Sequence, residues 1–192
     1  MELSEQEIQR RNDAEELRRL GINPYPAAMY DVNANTQEIK QEFEKDNTLF
    51  QDVKIAGRIM SRRIMGAASF CEIQDEKGKI QLYLNRDEIC EGEDKTLYNT
   101  VFKKLLDIGD IIGVSGYVFK TKMGETSIHV KTLTVLCKSV RPLPIVKEKD
   151  GKVYDAFTDP EQRYRQRYVD LIVNPQVKKT FIQRTKLVNT MR

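Results

Sequence analysis

The residues best suited to chemistry in this chain are two arginines and an aromatic at the ends of one run, Arg62-Arg63-Ile64-Met65-Gly66-Ala67-Ala68-Ser69-Phe70. Two-residue alternation through Cys71 and Ile73 leaves Phe70 on the solvent side of a strand. An outward ring offers a π-face to an unstacked base, and a nearby guanidinium supplies charge or a rigid hydrogen-bond fork. That combination implies contact with single-stranded RNA. Other chemistries have less to work with. His129 is the single histidine and has neither a nucleophile nor a metal cluster around it, so it reads as a structural strand residue. Cys71, Cys90 and Cys137 are odd in number and lack Cys-x-x-Cys spacing, which argues for reduced structural thiols and against a disulfide framework or a zinc site. No catalytic residue and no metal ligand set is nominated.

A formal net charge of +3 over 192 residues does not identify a nucleic-acid binder, so its distribution matters more than its sum. Residues 1–49 carry −5, residues 50–146 carry +3 and residues 147–192 carry +5, which concentrates positive charge after residue 49. Arg10, Arg11, Arg18 and Arg19 remain a candidate basic patch within the acidic leading segment. No stretch is apolar enough to span a bilayer, and Met1-Glu2-Leu3-Ser4-Glu5-Gln6-Glu7 lacks the basic start and apolar run of a signal peptide. A cytoplasmic protein without a membrane partner is expected.

The elements that must position these residues follow from periodicity and caps. Ser4 to Leu20 predicts a helix with Ser4 as cap, Glu7 completing a capping box and Gly21 as stop; its sparse apolar positions call for a neighbouring surface or bound RNA to hold it. A second short helix is predicted from Thr36 to Glu44. From Val53 the period becomes two: Val53, Ile55, Gly57 and Ile59, then Cys71 and Ile73, then Ile80, Leu82 and Leu84 alternate with polar or exposed positions. Asp75-Glu76-Lys77-Gly78 supplies a tight hairpin between the second and third strands. A helical stretch from Leu97 to Leu106 follows, with strands at Asp110 to Lys120 and Thr126 to Val135.

Three strands, a helix and two strands is the order of an OB-fold barrel, whose closure removes sheet edges and whose second and third strands form a binding face. A five-stranded sandwich or SH3-like barrel is the alternative; the helix between the third and fourth strands favours the OB-fold. The predicted class is thus an all-β core with flanking amino-terminal helices and a carboxy-terminal helical linker. Arg141-Pro142-Leu143-Pro144 opens that linker, a charged turn follows at Lys147 to Lys152, and Asp159-Pro160 caps a helix from Glu161 to Ile172. Asn174-Pro175 starts another that meets no stop signal before Arg192. The expected divisions are 1–49 amino-terminal helical extension, 50–140 OB-fold, 141–175 linker and helix, and 176–192 the start of a following domain, the chain being an amino-terminal piece.

The ordered set Ala56-Gly57-Arg58, Arg62-Arg63-Ile64-Met65-Gly66, Ser69-Phe70, Ile80-Gln81-Leu82-Tyr83, Phe119-Lys120-Thr121-Lys122, Gly124-Glu125, Arg141-Pro142-Leu143-Pro144 and Arg163-Tyr164-Arg165-Gln166-Arg167-Tyr168-Val169-Asp170-Leu171-Ile172 resembles bacterial-type class II lysyl-tRNA synthetase. The resemblance covers nearly the whole chain. It implies an OB-fold that binds the anticodon of tRNA-Lys, reading its central uridine. It also implies a full-length homodimer that uses ATP and Mg to activate lysine and transfer it to tRNA. The segment from Thr180 to Arg192 then looks like the approach to the first catalytic-domain motif. The piece itself is expected to be inactive, to need no cofactor and to have an oligomeric state that the sequence leaves open.

The same resemblance gives individual roles. Phe70 stacks on the uridine, Gln81 follows its edge, Glu125 accepts from uracil N3–H, and Arg63 contacts the base edge or ribose. Arg58, Arg62, Lys120 and Lys122 are implied RNA-backbone contacts. Ala67 departs from the family, which commonly has lysine after the glycine, and removes one phosphate contact. Tyr164, Tyr168, Leu171 and Ile172 fall on one helix side suited to packing on a further domain. The competing function is that of a stand-alone single-stranded nucleic-acid-binding OB-fold protein.

Overall fold

The computed structural model describes residues 3–144, 147–149, 152–154 and 157–192, which fall into two compact units, Met1–Pro142 and Leu143–Arg192. The first unit opens with α1, Glu5–Arg19, capped by Ser4 through the reciprocal bonds with Glu7 that the sequence predicts. α1 needs no RNA to anchor it. Leu17 is buried in the core, and Arg10 donates to the carbonyls of Ser139 and Ile108, both at 3.0 Å. Three of the four arginines of the candidate basic patch have partners within the protein: Arg10 on those carbonyls, Arg18 on Glu15, and Arg19 on Glu16 at 3.1 Å.

α2, Thr36–Lys45, contributes Ile39 and Phe43 to the same core. Its start is tied to the sheet because the backbone nitrogen and hydroxyl of Thr36 both donate to the Asp75 carboxylate, each at 2.7 Å. Asp75 also accepts from the backbone of Lys77 and Gly78, so one side chain closes the predicted hairpin and locates the helix against it.

Five strands form the body of this unit: β1 Val53–Met65, β2 Ala68–Gln74, β3 Lys79–Asn85, β4 Ile111–Lys120 and β5 Thr126–Cys137. They pair in the order β1-β2-β3-β5-β4, with β4 returning to β1, so the hydrogen-bonded ring closes. All contacts are antiparallel except β3 with β5. Alternation puts Ile55, Ile59, Ile73, Leu82, Leu84, Val114 and Val130 inside, each less than 2% exposed. Between β3 and β4 lie the short helix α3, Arg86–Ile89, and a π-helical segment, Leu97–Leu105, whose Tyr98, Val101 and Phe102 join the core.

Charge inside this unit was not foreseen. Lys138 is buried just past β5, with its ammonium 2.6 Å from Asp107 and 2.9 Å from Asp110. Two carboxylates and backbone donors around Asp110 compensate the desolvation that such a cluster costs.

The second unit holds the two-stranded pair β6 Lys147–Lys149 and β7 Lys152–Tyr154, and the helices α4 Pro160–Arg165, α5 Arg167–Val173 and α6 Pro175–Met191. Of the predicted charged turn, residues 150 and 151 lie outside the described residues. The single helix expected from Glu161 to Ile172 is two. Gln166 leaves the helical region at φ −117° and ψ 53°, and Asp170 then gathers Arg163, Arg167 and Asn174. That break removes the single helix side on which Tyr164 and Tyr168 were expected; both rings are exposed.

Candidate nucleic-acid interface

The outer face of β2 and β3 carries Phe70, Glu72, Gln81 and Tyr83, because their neighbours Cys71, Ile73, Leu82 and Leu84 point into the core. Phe70 stands opposite Tyr83 across the ladder, with ring centroids 5.4 Å apart and planes tilted by 54°. Tyr83 is itself held edge-on by His129 at 4.9 Å. The Phe70 ring is thus buttressed on its β3 side and remains half-buried.

β1 brings Arg63 opposite Phe70 through an irregularity in its pairing. Inward residues are Val53, Ile55 and Ile59, so unbroken alternation would send Arg63 inside and Arg62 out. The register with β2 shifts between Ile59 and Ser61, which reverses the phase. Arg63 then pairs with Phe70 on the outer face, and Arg62 pairs with Cys71 on the inner side. Arg62 turns to the end of the π-helical segment, donates to the carbonyls of Phe102 and Leu106, and lies 5.8 Å from the centre of the Phe102 ring. Arg58 donates to the Gly109 carbonyl at 2.6 Å. Arg58 and Arg62 thus each have partners among the protein's own carbonyls, and of the three arginines Arg63 is the one that stands opposite Phe70.

The turn between β4 and β5 closes the other side. Gly124 adopts φ +84°, and Thr121 and Glu125 pair across the turn, which brings the Glu125 carboxylate over β3. Gln81 Nε2 donates to Glu125 Oε2 at 2.8 Å, and the Ser127 hydroxyl donates to Gln81 Oε1 at 2.9 Å. Arg63, Phe70, Gln81 and Glu125 accordingly line one concavity of about 360 Å³, together with Ser61, Cys71, Glu72, Thr121 and Met123. Lys120, at the end of β4, and Lys122, on the turn, are exposed without lining it.

Its chemistry is that of a polar-edged slot. An exposed guanidinium and a half-buried ring lie on one side, and an amide bonded to a carboxylate lies on the other. Glu72 is paired with Lys79 at 2.8 Å, whereas among the described residues no cation lies at salt-bridge distance from Glu125. Cys71 is no nucleophile: burial pushes its thiol up to about 12, and all three cysteines are free. Among the described residues, no group of His, Cys, Asp and Glu is arranged to hold a metal ion, and no helix is long and apolar enough to cross a membrane. His129 is built into the outer sheet face, its Nδ1 2.7 Å from the Tyr117 hydroxyl and its Nε2 2.7 Å from the Glu88 carboxylate.

Sequence reasoning did not find Ser127, Tyr83 or Met123. Tyr83 carried a usable signal, as an aromatic two positions beyond Gln81 on an outward phase. Ser127 carried none, since a buried serine in a strand resembles any other small residue until its partner is known.

Comparison with known proteins agrees with the fold that carries this slot. Residues 53–136 match a family described as an OB-fold nucleic acid binding domain, so the closed five-stranded ring with its flanking helices is an OB-fold domain. Over its full length the chain is 64% identical to a lysine-tRNA ligase of Porphyromonas gingivalis and 57% identical to one of Christiangramia forsetii, in each case covering 33% of the relative. A lysine-tRNA ligase of Azobacteroides pseudotrichonymphae is 58% identical over 99% of the chain and 38% of its own length. The chain spans about a third of the length of the curated relatives it matches.

Proposed function

We propose that the OB-fold of this homologue of lysine-tRNA ligases reads the anticodon of tRNA-Lys, with its central uridine in the concavity between β2, β3 and the β4–β5 turn. The observation that carries the reading is the convergence of Arg63, Phe70, Gln81 and Glu125 on one slot from β1, β2, β3 and the β4–β5 turn. Phe70 stacks on the base. Gln81 uses its second N–H toward a uracil carbonyl, Glu125 accepts from N3–H, and Arg63 reaches the base edge or ribose. Cytosine presents an unprotonated N3 to the carboxylate and is rejected by the unpaired, desolvated acceptor this leaves. Lys120 at the end of β4 and Lys122 on the adjoining turn, both exposed, contact the RNA backbone.

The whole protein in this reading is a lysine-tRNA ligase that activates lysine with ATP and magnesium in a class II catalytic domain. It is homodimeric and cytoplasmic. Residues 50–140 act as the anticodon-binding barrel, 1–49 as its helical extension, 141–175 as linker and 176–192 as the lead into the catalytic domain. None of this chain's side chains is assigned to ATP or magnesium. A stand-alone single-stranded nucleic-acid binder is less favoured, because similarity to the ligases continues through both units rather than ending with the OB-fold.

Equilibrium binding of a lysine-anticodon stem-loop at fixed salt tests the reading. Phe70→Ala, folded as judged by its thermal transition, is expected to weaken binding by about 1–3 kcal/mol, the range for a lost base stack. Unchanged affinity would reject the stacking role.

A further inference from the structure

We propose that Ser127 is a specificity-determining positioning residue whose hydroxyl keeps the N–H end of the Gln81 amide turned toward the base site. The inference rests on the reading of Gln81 and Glu125 as the base-edge groups. Ser127 stands opposite Gln81 in the parallel β3–β5 register and is 0% exposed. Its Oγ lies 2.9 Å from Gln81 Oε1, while Gln81 Nε2 lies 2.8 Å from Glu125 Oε2. A carboxylate only accepts, so the amide end facing Glu125 is the N–H end and the end facing Ser127 is the carbonyl. Ser127 therefore donates. The three groups form a one-way chain of donation that ends on a carboxylate.

The alternative open to Ser127 is a poorer one. Its other acceptor is the backbone carbonyl of Glu125 at 3.4 Å, near the limit of hydrogen bonding. Flipping the amide would turn the hydroxyl proton to that longer contact and set the Gln81 carbonyl against the Glu125 carboxylate.

The consequence arises when a base enters. As Glu125 turns to a base N3–H, its hold on the amide weakens, and the two ends of an amide differ little in shape. Ser127 is then the group that preserves their order. With the order kept, the site presents a donor beside an acceptor, the complement of a uracil carbonyl beside N3–H. With the order lost, the amide oxygen is free to accept from the exocyclic amino group of cytosine, and discrimination shrinks.

A double-mutant cycle tests this, with the 192-residue chain, its Ser127→Ala and Gln81→Ala variants and the double variant. Each binds anticodon stem-loops carrying uridine or cytidine at the central position, with thermal unfolding recorded alongside. Ser127→Ala is expected to lower the uridine-to-cytidine affinity ratio about tenfold, and by less than about twofold once Gln81 is already alanine. Ser127→Cys, close in size and a weak donor, moves the ratio in the same direction. A ratio unchanged in both Ser127 variants while Gln81→Ala collapses it overturns the role of Ser127 and leaves the reading of Gln81 standing. An equal fall in affinity for both stem-loops also overturns it, since that is loosening without loss of selectivity. A wild-type chain that does not distinguish the stem-loops removes both.

Discussion

Arg63 stands directly opposite Phe70 in the β1–β2 ladder because the pairing slips by one residue between Ile59 and Ser61. Adjacent arginines are thereby divided between two tasks, one holding carbonyls at the end of the π-helical segment and one bordering the slot. Arg63→Ala is expected to weaken stem-loop binding by about tenfold with little change in melting temperature. Arg62→Ala strands two carbonyls, and its melting temperature is expected to fall by about 3–8 °C. Thermal unfolding and equilibrium binding of both variants check the division, which fails if the two effects are exchanged.

In the proposed reading, Glu125 is the acceptor that tells uracil from cytosine. Glu125→Gln keeps the shape and adds a donor, so it is expected to cut the preference for a central uridine by about tenfold, chiefly by tolerating cytidine. Competition binding with the two stem-loops measures it, and a preference as large as that of the wild type would remove Glu125 from the recognition set.

Gly116 lies where the β4–β5 pairing also shifts, and a Cβ built there would sit 1.9 Å from the carbonyl oxygen of His129. The obstructing atom is backbone, which cannot swing aside. Gly116→Ala is expected to cost about 2–3 kcal/mol of stability, read from denaturant unfolding. A cost under about 0.5 kcal/mol would show that the strands separate more freely than this register implies.

The order of strands and helices was legible because buried and exposed positions alternate cleanly from Val53 to Ile59 and along β2 and β3, and because Ser4 with Glu7 and Asp75 with Gly78 mark their caps and turns in residue type. Phe70, Gln81 and Glu125 were legible through the resemblance and the outward phase of β2 and β3. The slip after Ile59 was not, since one extra residue in a strand changes no composition yet exchanges the roles of Arg62 and Arg63. Lys138 was equally hidden. A lysine at a strand end reads as a surface charge until Asp107 and Asp110 are seen to enclose it.

The chain is expected to show no lysine-dependent ATP-pyrophosphate exchange, because binding a base supplies none of the positioned groups that adenylation requires. An exchange assay with lysine, ATP and magnesium checks this, and turnover that stays with the chain through purification would contradict it.

The central claim is that the slot reads uracil. It is tested most directly by the dissociation constants of the wild-type chain for two tRNA-Lys anticodon stem-loops differing only in uridine or cytidine at the central position, measured at one salt concentration. Binding at least about tenfold tighter to the uridine form is predicted, as expected for one acceptor left unpaired beneath the bound base. Equal affinities would contradict it.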